Sequence, residues 1–312
     1  MNHYDSWIAR HIPQCDGKTI LITGASSGLG FEAAQLLAGR GATVIMAVRD
    51  RAKGDAAASL IRTAVPDAQL HLSTLDLADL ASIGRFAEDI RDSHDRVDAL
   101  INNAGVMAIP RRLTTDGFEM QFGTNHLGHF ALTGLLLPLL LHTPHARVVT
   151  VSSGVHMVGR IDFADLQGQR SYSDWRAYAQ SKLANLLFAY ELQRKLAAAG
   201  AGAISLAAHP GYAATNLQMV GPEMYRSRMR RAAMVASNRI VAQSAAMGAL
   251  PEIYAATAPS AQGADFYGPG GLFGTRGFPR KVRSSPASHD QAVAARLWQV
   301  SEELTGVTYR FA

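Results

Sequence analysis

Tyr178 and Lys182 stand four residues apart in the stretch YAQSK. On a helix that spacing places both side chains on one face. The chain has nine tyrosines and only five lysines, so a chance pairing at this spacing is rare. A phenol with its ordinary pKa of about 10 carries protons poorly at neutrality. An ammonium beside it favours the phenolate and would draw the pKa toward the working pH, making Tyr178 a general acid or base. Ser152 and Ser153 end a β-branched run, RVVTVS. A hydroxyl at that strand end can hydrogen-bond a substrate carbonyl, or it can simply cap the strand.

A second constellation is Thr23-Gly24-Ala25-Ser26-Ser27-Gly28-Leu29-Gly30, between an apolar run and a helical one. Glycines there let the chain turn tightly and bring a phosphate against main-chain N–H groups, with the positive end of the helix behind them. The spacing is G-x3-G-x-G, not the commoner G-x-G-x-x-G. The cofactor choice rests on the residues at the end of the second apolar run, Ala47-Val48-Arg49-Asp50. An acid there would bind the ribose 2′-hydroxyl of NAD, whereas an arginine takes the 2′-phosphate of NADP. Val48 stands where an acid is common and Arg49 comes next, so NADP(H) is expected ahead of NAD(H). Asp76, in Leu75-Asp76-Leu77, either accepts from the adenine amine or caps a helix.

These groups need a scaffold, and the chain alternates short β-branched runs with longer helical ones. Strands are expected at Lys18–Thr23, Ala42–Val48, Ala68–Leu75, Val97–Asn102, Arg147–Ser152, Ala203–His209 and Gly263–Tyr267. Helices are expected at Gly28–Gly39, Asp50–Ala64 with Asp50 as N-cap, Asp79–His94, Leu113–His142 and Asp174–Ala199. Near-continuous Val/Ile/Leu strands are buried on both faces. The reading is α/β: one Rossmann-type doubly wound parallel sheet of about seven strands with helices on both faces. A single dinucleotide-binding catalytic domain over 1–312 is expected, with an extension at 1–16.

Composition narrows the class. Hydrophobic residues at 48% and charged residues at 18% exclude a disordered chain. The lone cysteine, Cys15, excludes an intramolecular disulfide framework and a cysteine-built zinc site. The formal charge of +5 comes from 25 Arg and five Lys interspersed with acids, without a basic-aromatic patch, so no nucleic-acid partner is expected. The most apolar run, GHFALTGLLLPLLL, is too short to cross a bilayer and contains Pro138. No targeting segment is read in Met1–Asp16. A cytoplasmic protein with a small-molecule substrate is the expectation, with homo-oligomerisation left open.

Jointly, TGASSGLG at 23–30, NNAG at 102–105, Asn125 in TNHLGHF, VSS at 151–153, YAQSK at 178–182 and PGYAAT at 210–215 resemble the short-chain dehydrogenase/reductase superfamily. The finer texture is similar to the retinol dehydrogenase and protochlorophyllide reductase-like group, through IMAVRDRAKG, SKLANLLFAYEL and LWQVSEELTGV. The resemblance implies that Tyr178 is the acid in reduction and the base in oxidation. It implies that Lys182 holds the nicotinamide ribose, Ser153 orients the carbonyl, and Asn125 supports a water-linked relay to Lys182. Asn102, Ala104 and Gly105 would border the adenine–ribose side, and Pro210, Gly211 and Thr215 the nicotinamide end.

Two departures stand out. Ser27 occupies a position where NADP-preferring relatives often carry a basic residue, leaving Arg49 with help only from Lys53. Ser153 and Tyr178 are separated by the insertion MVGRIDFADLQGQRSYSDW, read as a spacer that loops over the outside. The substrate is expected under 218–240, where methionines alternate with Arg226, Arg228, Arg230, Arg231 and Arg239. The whole predicts an NADP(H)-dependent oxidoreductase acting on a ketone, aldehyde or secondary alcohol, with a non-catalytic NADP(H)-binding regulator as the alternative.

Overall fold

The computed structural model describes residues 3–212, 243–271 and 274–311. Eight strands form one sheet: β1 (Thr19–Thr23), β2 (Thr43–Val48), β3 (Gln69–Thr74), β4 (Ala99–Asn102), β5 (Arg147–Val151), β6 (Ile204–Ala208), β7 (Phe266–Pro269) and β8 (Pro279–Lys281). Their order is β3-β2-β1-β4-β5-β6-β7-β8. All neighbours pair in parallel except β7 and β8. Every residue of β1 and of β4 is buried, as their unbroken apolar sequences require, whereas the edge strand β3 is half exposed.

Helices cover both faces. On one side Ala33, Ala34 and Leu37 of α2 (Gly28–Ala38), Ile61 of α3 (Arg51–Ala64) and Leu250 and Ile253 of α8 (Ala245–Thr257) pack on Ile22, Val44 and Val149. Trp7 of α1 (His3–His11) joins that layer, its ring stacked on Phe278 at 5.0 Å. On the other side Phe86 of α4 (Leu80–Ser93), Phe130 of α6 (Gly128–His142) and Phe188 of α7 (Asp174–Ala198) cover Leu21, Leu100 and Val148. Trp298 of α9 (Gln291–Thr305) seals that layer. The strand order reverses between β1 and β4, and ligands of such sheets bind in the crevice beyond the carboxyl ends there.

Three expectations need correction. The helix read over 113–142 starts only at Met120. Leu113 pairs with Glu119 across the turn Thr114–Gly117, where Gly117 adopts a φ of +85°, and Glu119 caps the short α5 (Met120–Phe122) through the Gln121 and Phe122 amides. The run then widens into a π-turn at Gly123–Leu127 before α6. The seventh strand begins at Phe266 because Ala264 lies in the left-handed region and the chain is still turning. An eighth, antiparallel strand opens on Pro279; three residues beginning with proline carry too little pattern to be read from sequence.

Candidate functional site

The glycine turn leaves β1 at the switch point. Gly24 and Gly28 have φ of +71° and +56°, which a side chain would strain. A Cβ on Gly30 would stand 2.5 Å from the Gly24 carbonyl and 2.6 Å from Asn103 Nδ2, so the turn closes only on glycine. Ser27 is the N-cap of α2 but its hydroxyl makes no capping bond, and the first turn of α2 carries no acid. Uncapped amides at a helix N-terminus facing a ligand crevice suit a phosphate. Ser26 and Leu29 sit in the same turn. Arg49, directly after β2, is exposed and makes no ion pair with any described residue.

Asp76 lies half-buried after β3 and accepts the Ala78 amide at 2.9 Å. It is not the helix cap: Asp79 caps α4 through the Ala81 and Ser82 amides. Leu77 is buried beside it, its carbonyl close to Gly128. Asn102 behaves differently from the expectation. Its amide donates to Thr133 in the core at 3.0 Å, and its Oδ1 is buried without a hydrogen-bond partner among the described residues. The neighbour, Asn103, does the fastening: its Nδ2 donates to the Thr23 carbonyl at 2.7 Å. The sequence alone does not single out Asn103, although the doubled asparagine is its signal. Ala104 and Gly105 line the approach. A Cβ on Gly105 would stand 2.9 Å from Asn125 Oδ1 and 3.6 Å from Lys182 Nζ.

α7 brings Tyr178 and Lys182 to the end of β5, both buried, with the ammonium 5.7 Å from the phenol ring centre. Lys182 Nζ donates to the Val151 carbonyl at 3.1 Å, and Asn185 Nδ2 donates to the same oxygen at 3.0 Å. The two serines separate in role. The Ser152 hydroxyl is buried and donates to the Lys182 carbonyl at 2.8 Å, pinning α7 to β5. The Ser153 hydroxyl accepts the Val155 amide at 3.4 Å and lies close enough to the Tyr178 phenol to pull its pKa down. The insertion therefore leaves the pair adjacent. It is more than a spacer: Gln180 holds Asp162 and Leu166, and Tyr172 donates to the Ile109 carbonyl at 2.9 Å.

Burial dominates the electrostatics. It pushes the Tyr178 phenol up to about 12, against a smaller downward pull from Ser153. The Lys182 ammonium is expected to draw the phenol down, but burial outweighs that pull. Its own pKa is lowered to about 8 by burial, with the Glu252 carboxylate opposing. Asn125, in the π-turn, donates through Nδ2 to the Val106 carbonyl and to Ser181 Oγ, both at 2.9 Å, while its Oδ1 accepts the Val106 amide at 2.8 Å. Its carbonyl accepts from His129. These bonds fix the loop facing Lys182 and occupy both amide protons.

After β6, Gly211 has a φ of +67° and packs against the Thr275 carbonyl and Pro269. The Pro210 carbonyl accepts from Gln243 at 2.8 Å. Thr215 and the 218–240 segment lie outside the described residues. Three exposed apolar side chains stand beside Ser153 and Tyr178 in sequence: Met157, Val158 and Trp175. The Trp175 ring lies 6.2 Å from that of Tyr178, nearly perpendicular.

Residues 18–225 match the family model described as short chain dehydrogenase. Retinol dehydrogenase 14 of Mus musculus is 40% identical over 301 residues, which span 93% of this chain and 86% of the relative. A crystal structure from Mycobacterium paratuberculosis is similar with a TM-score of 0.78 at 46% identity, covering 96% of this chain and 97% of that one. A short chain dehydrogenase from Escherichia coli CFT073, complexed with NADPH, is similar with a TM-score of 0.54 at 27% identity, over 70% and 85% of the two chains. The chain belongs to the short-chain dehydrogenase/reductase family of oxidoreductases, whose members bind a nicotinamide cofactor. Among the described residues no helix is long and apolar enough to cross a membrane.

Proposed function

We propose that this chain is an NADP(H)-dependent oxidoreductase interconverting a ketone or aldehyde with the corresponding alcohol, and that residues 1–312 act as one dinucleotide-binding catalytic domain. The observation that carries it is the convergence of buried Tyr178 and Lys182 on Ser153 at the end of β5, with the Lys182 ammonium 5.7 Å from the phenol ring centre. When bound, the nicotinamide supplies the hydride in reduction and accepts it in oxidation.

The glycine turn and the uncapped amides of α2 would hold the pyrophosphate. Arg49, exposed and without a protein partner among the described residues, would meet the 2′-phosphate, and Asp76 the adenine. Ala104, Gly105, Pro210 and Gly211 would shape the ribose and nicotinamide ends. The NADPH in the Escherichia coli structure supports the choice of cofactor for this fold.

Ser153 donates to the carbonyl oxygen and holds it against Tyr178. A phenol raised to about 12 keeps its proton at neutral pH and can pass it to the more basic alkoxide that reduction generates. Lys182 adds positive charge and a donor to the ribose, and Asn125 holds the Gly105–Val106 loop against it. The exposed Trp175, edge-on to Tyr178, would give the mouth an aromatic wall, and Met157 and Val158 follow Ser153 closely in sequence, which favours an apolar or aromatic substrate. The retinol in a relative's name, an apolar alcohol, agrees with that.

The test is NADPH oxidation by the purified chain across a panel of apolar ketones and aldehydes, with NADP+ reduction on the matching alcohols. Turnover of apolar members is expected. NADPH binding without turnover of any member would overturn the proposal.

A further inference from the structure

His156 sits three residues after Ser153, on the 3-10 turn Gly154–Val158, and is only 3% exposed. Its ring is committed on both edges. Nδ1 lies 2.6 Å from the Ser153 carbonyl, which also accepts the His156 amide at 3.1 Å. Nε2 lies 3.1 Å from the Ser285 amide. A carbonyl only accepts and an amide N–H only donates, so Nδ1 carries the proton and Nε2 is bare. Phe266 stands edge-on to the ring at 5.6 Å, and His209 packs on the same Phe266 at 5.1 Å.

Ser285 belongs to the stretch after β8, tied down in its turn. The Ser284 hydroxyl bonds Tyr190 of α7 at 2.8 Å and His289 at 2.9 Å. A continuous path therefore runs from α7 through Ser284 and Ser285 to the His156 ring, and from there to the backbone of Ser153.

We infer that His156 is a positioning residue for the proposed reaction: as the neutral Nδ1–H tautomer it fixes the Ser153 backbone, and hence the hydroxyl facing Tyr178, to the carboxyl-terminal stretch of the chain. The inference rests on the proposed oxidoreductase reading. The bond to Ser153 sets the geometry of the reacting group, whereas the bond to Ser285 anchors the ring.

Two substitutions separate these bonds. His156→Asn puts an amide N–H where Nδ1 was and keeps a donor for Ser153. His156→Gln reaches the Nε2 position and keeps an acceptor for Ser285 but loses the donor. In the full chain, using a carbonyl that the wild type reduces, His156→Gln is expected to lower kcat by about tenfold to a hundredfold with KM for NADPH unchanged. His156→Asn should restore most of kcat, although its melting temperature falls as much as that of His156→Gln. Equal kcat in the two variants, or losses that follow the melting temperature, would overturn the assignment. If the wild type reduces no carbonyl, the oxidoreductase reading fails. His156 is then judged by 15N NMR of the histidine-labelled chain, where a proton on Nδ1 supports the clamp and a proton on Nε2 refutes it.

Discussion

Thr23 and His129 meet at 2.9 Å across the switch point of the sheet. The Thr23 hydroxyl oxygen also accepts the Asn103 and Ala104 amides, each at 3.0 Å. The other edge of the His129 ring donates to the Asn125 carbonyl at 3.0 Å. One neutral imidazole thus joins the glycine turn, the asparagine-rich end of β4 and the π-turn.

That arrangement makes the fold acid-sensitive. Burial lowers His129 and His209 to about 4 and His126 to about 3. Their ordinary value is 6.5, so the unfolded chain takes up protons first as pH falls. The stabilisation is complete above about 6.5 and is lost between there and about 4 for His129 and His209, on the order of 3 kcal/mol each, and down to about 3 for His126. Melting temperature should fall steeply across that window, and His129→Asn should flatten the slope while lowering the plateau. A melting temperature constant from pH 7 to 5 would contradict this.

Glu252 should act in the opposite direction. It is 2% exposed, its Oε1 has no hydrogen-bond partner, and burial raises it to about 8 despite the charge of Lys182. Between about 4.5 and 8 the unfolded chain releases this proton and the folded chain keeps it, so stability falls as pH rises through that range. Glu252→Gln should therefore stabilise the protein by about 2 kcal/mol at pH 7.5, measured by denaturant unfolding, and by little at pH 5.

Tyr178→Phe removes the group assigned to protonate the product oxygen. Turnover should fall about a thousandfold while NADPH still binds, as followed by quenching of protein fluorescence. Undiminished turnover would remove Tyr178 from the reaction.

Arg49→Ala should weaken NADPH by about tenfold and leave NADH nearly unchanged, because only the former carries the 2′-phosphate. Titration of both cofactors distinguishes this from a general loss of binding, which an equal weakening would indicate.

Gly30→Ala forces a methyl group against the Gly24 carbonyl and Asn103. We expect a stability loss of about 1 to 3 kcal/mol together with loss of cofactor binding, whereas the same change at the open Gly84 should do neither.

The sheet was legible because its strands are short, β-branched and buried on both faces, a pattern that survives without neighbours. The Asp50 cap and the adjacency of Tyr178 and Lys182 came from local chemistry, whereas the role of Ser153 beside Tyr178 came from the family resemblance. What failed was non-local. Nothing near Asn102 says that its amide will turn toward Thr133, thirty-one residues on, and leave Asn103 to hold the glycine turn. Burial decided the pKa of Tyr178, and burial depends on the whole fold. His156 reads as an incidental loop histidine until Ser285, 129 residues away, closes on it.

Gln243 closes a loop at one point. Its amide donates to the Tyr212 carbonyl at 2.9 Å, and its side chain holds both the Pro210 carbonyl and the Gly277 amide. Tyr212 and Gln243, the described residues on either side of 213–242, are thus tied together at a single knot. One side chain therefore braces the exit from β6 and the approach to β8 together, so that the two strands flanking β7 share a single polar clamp.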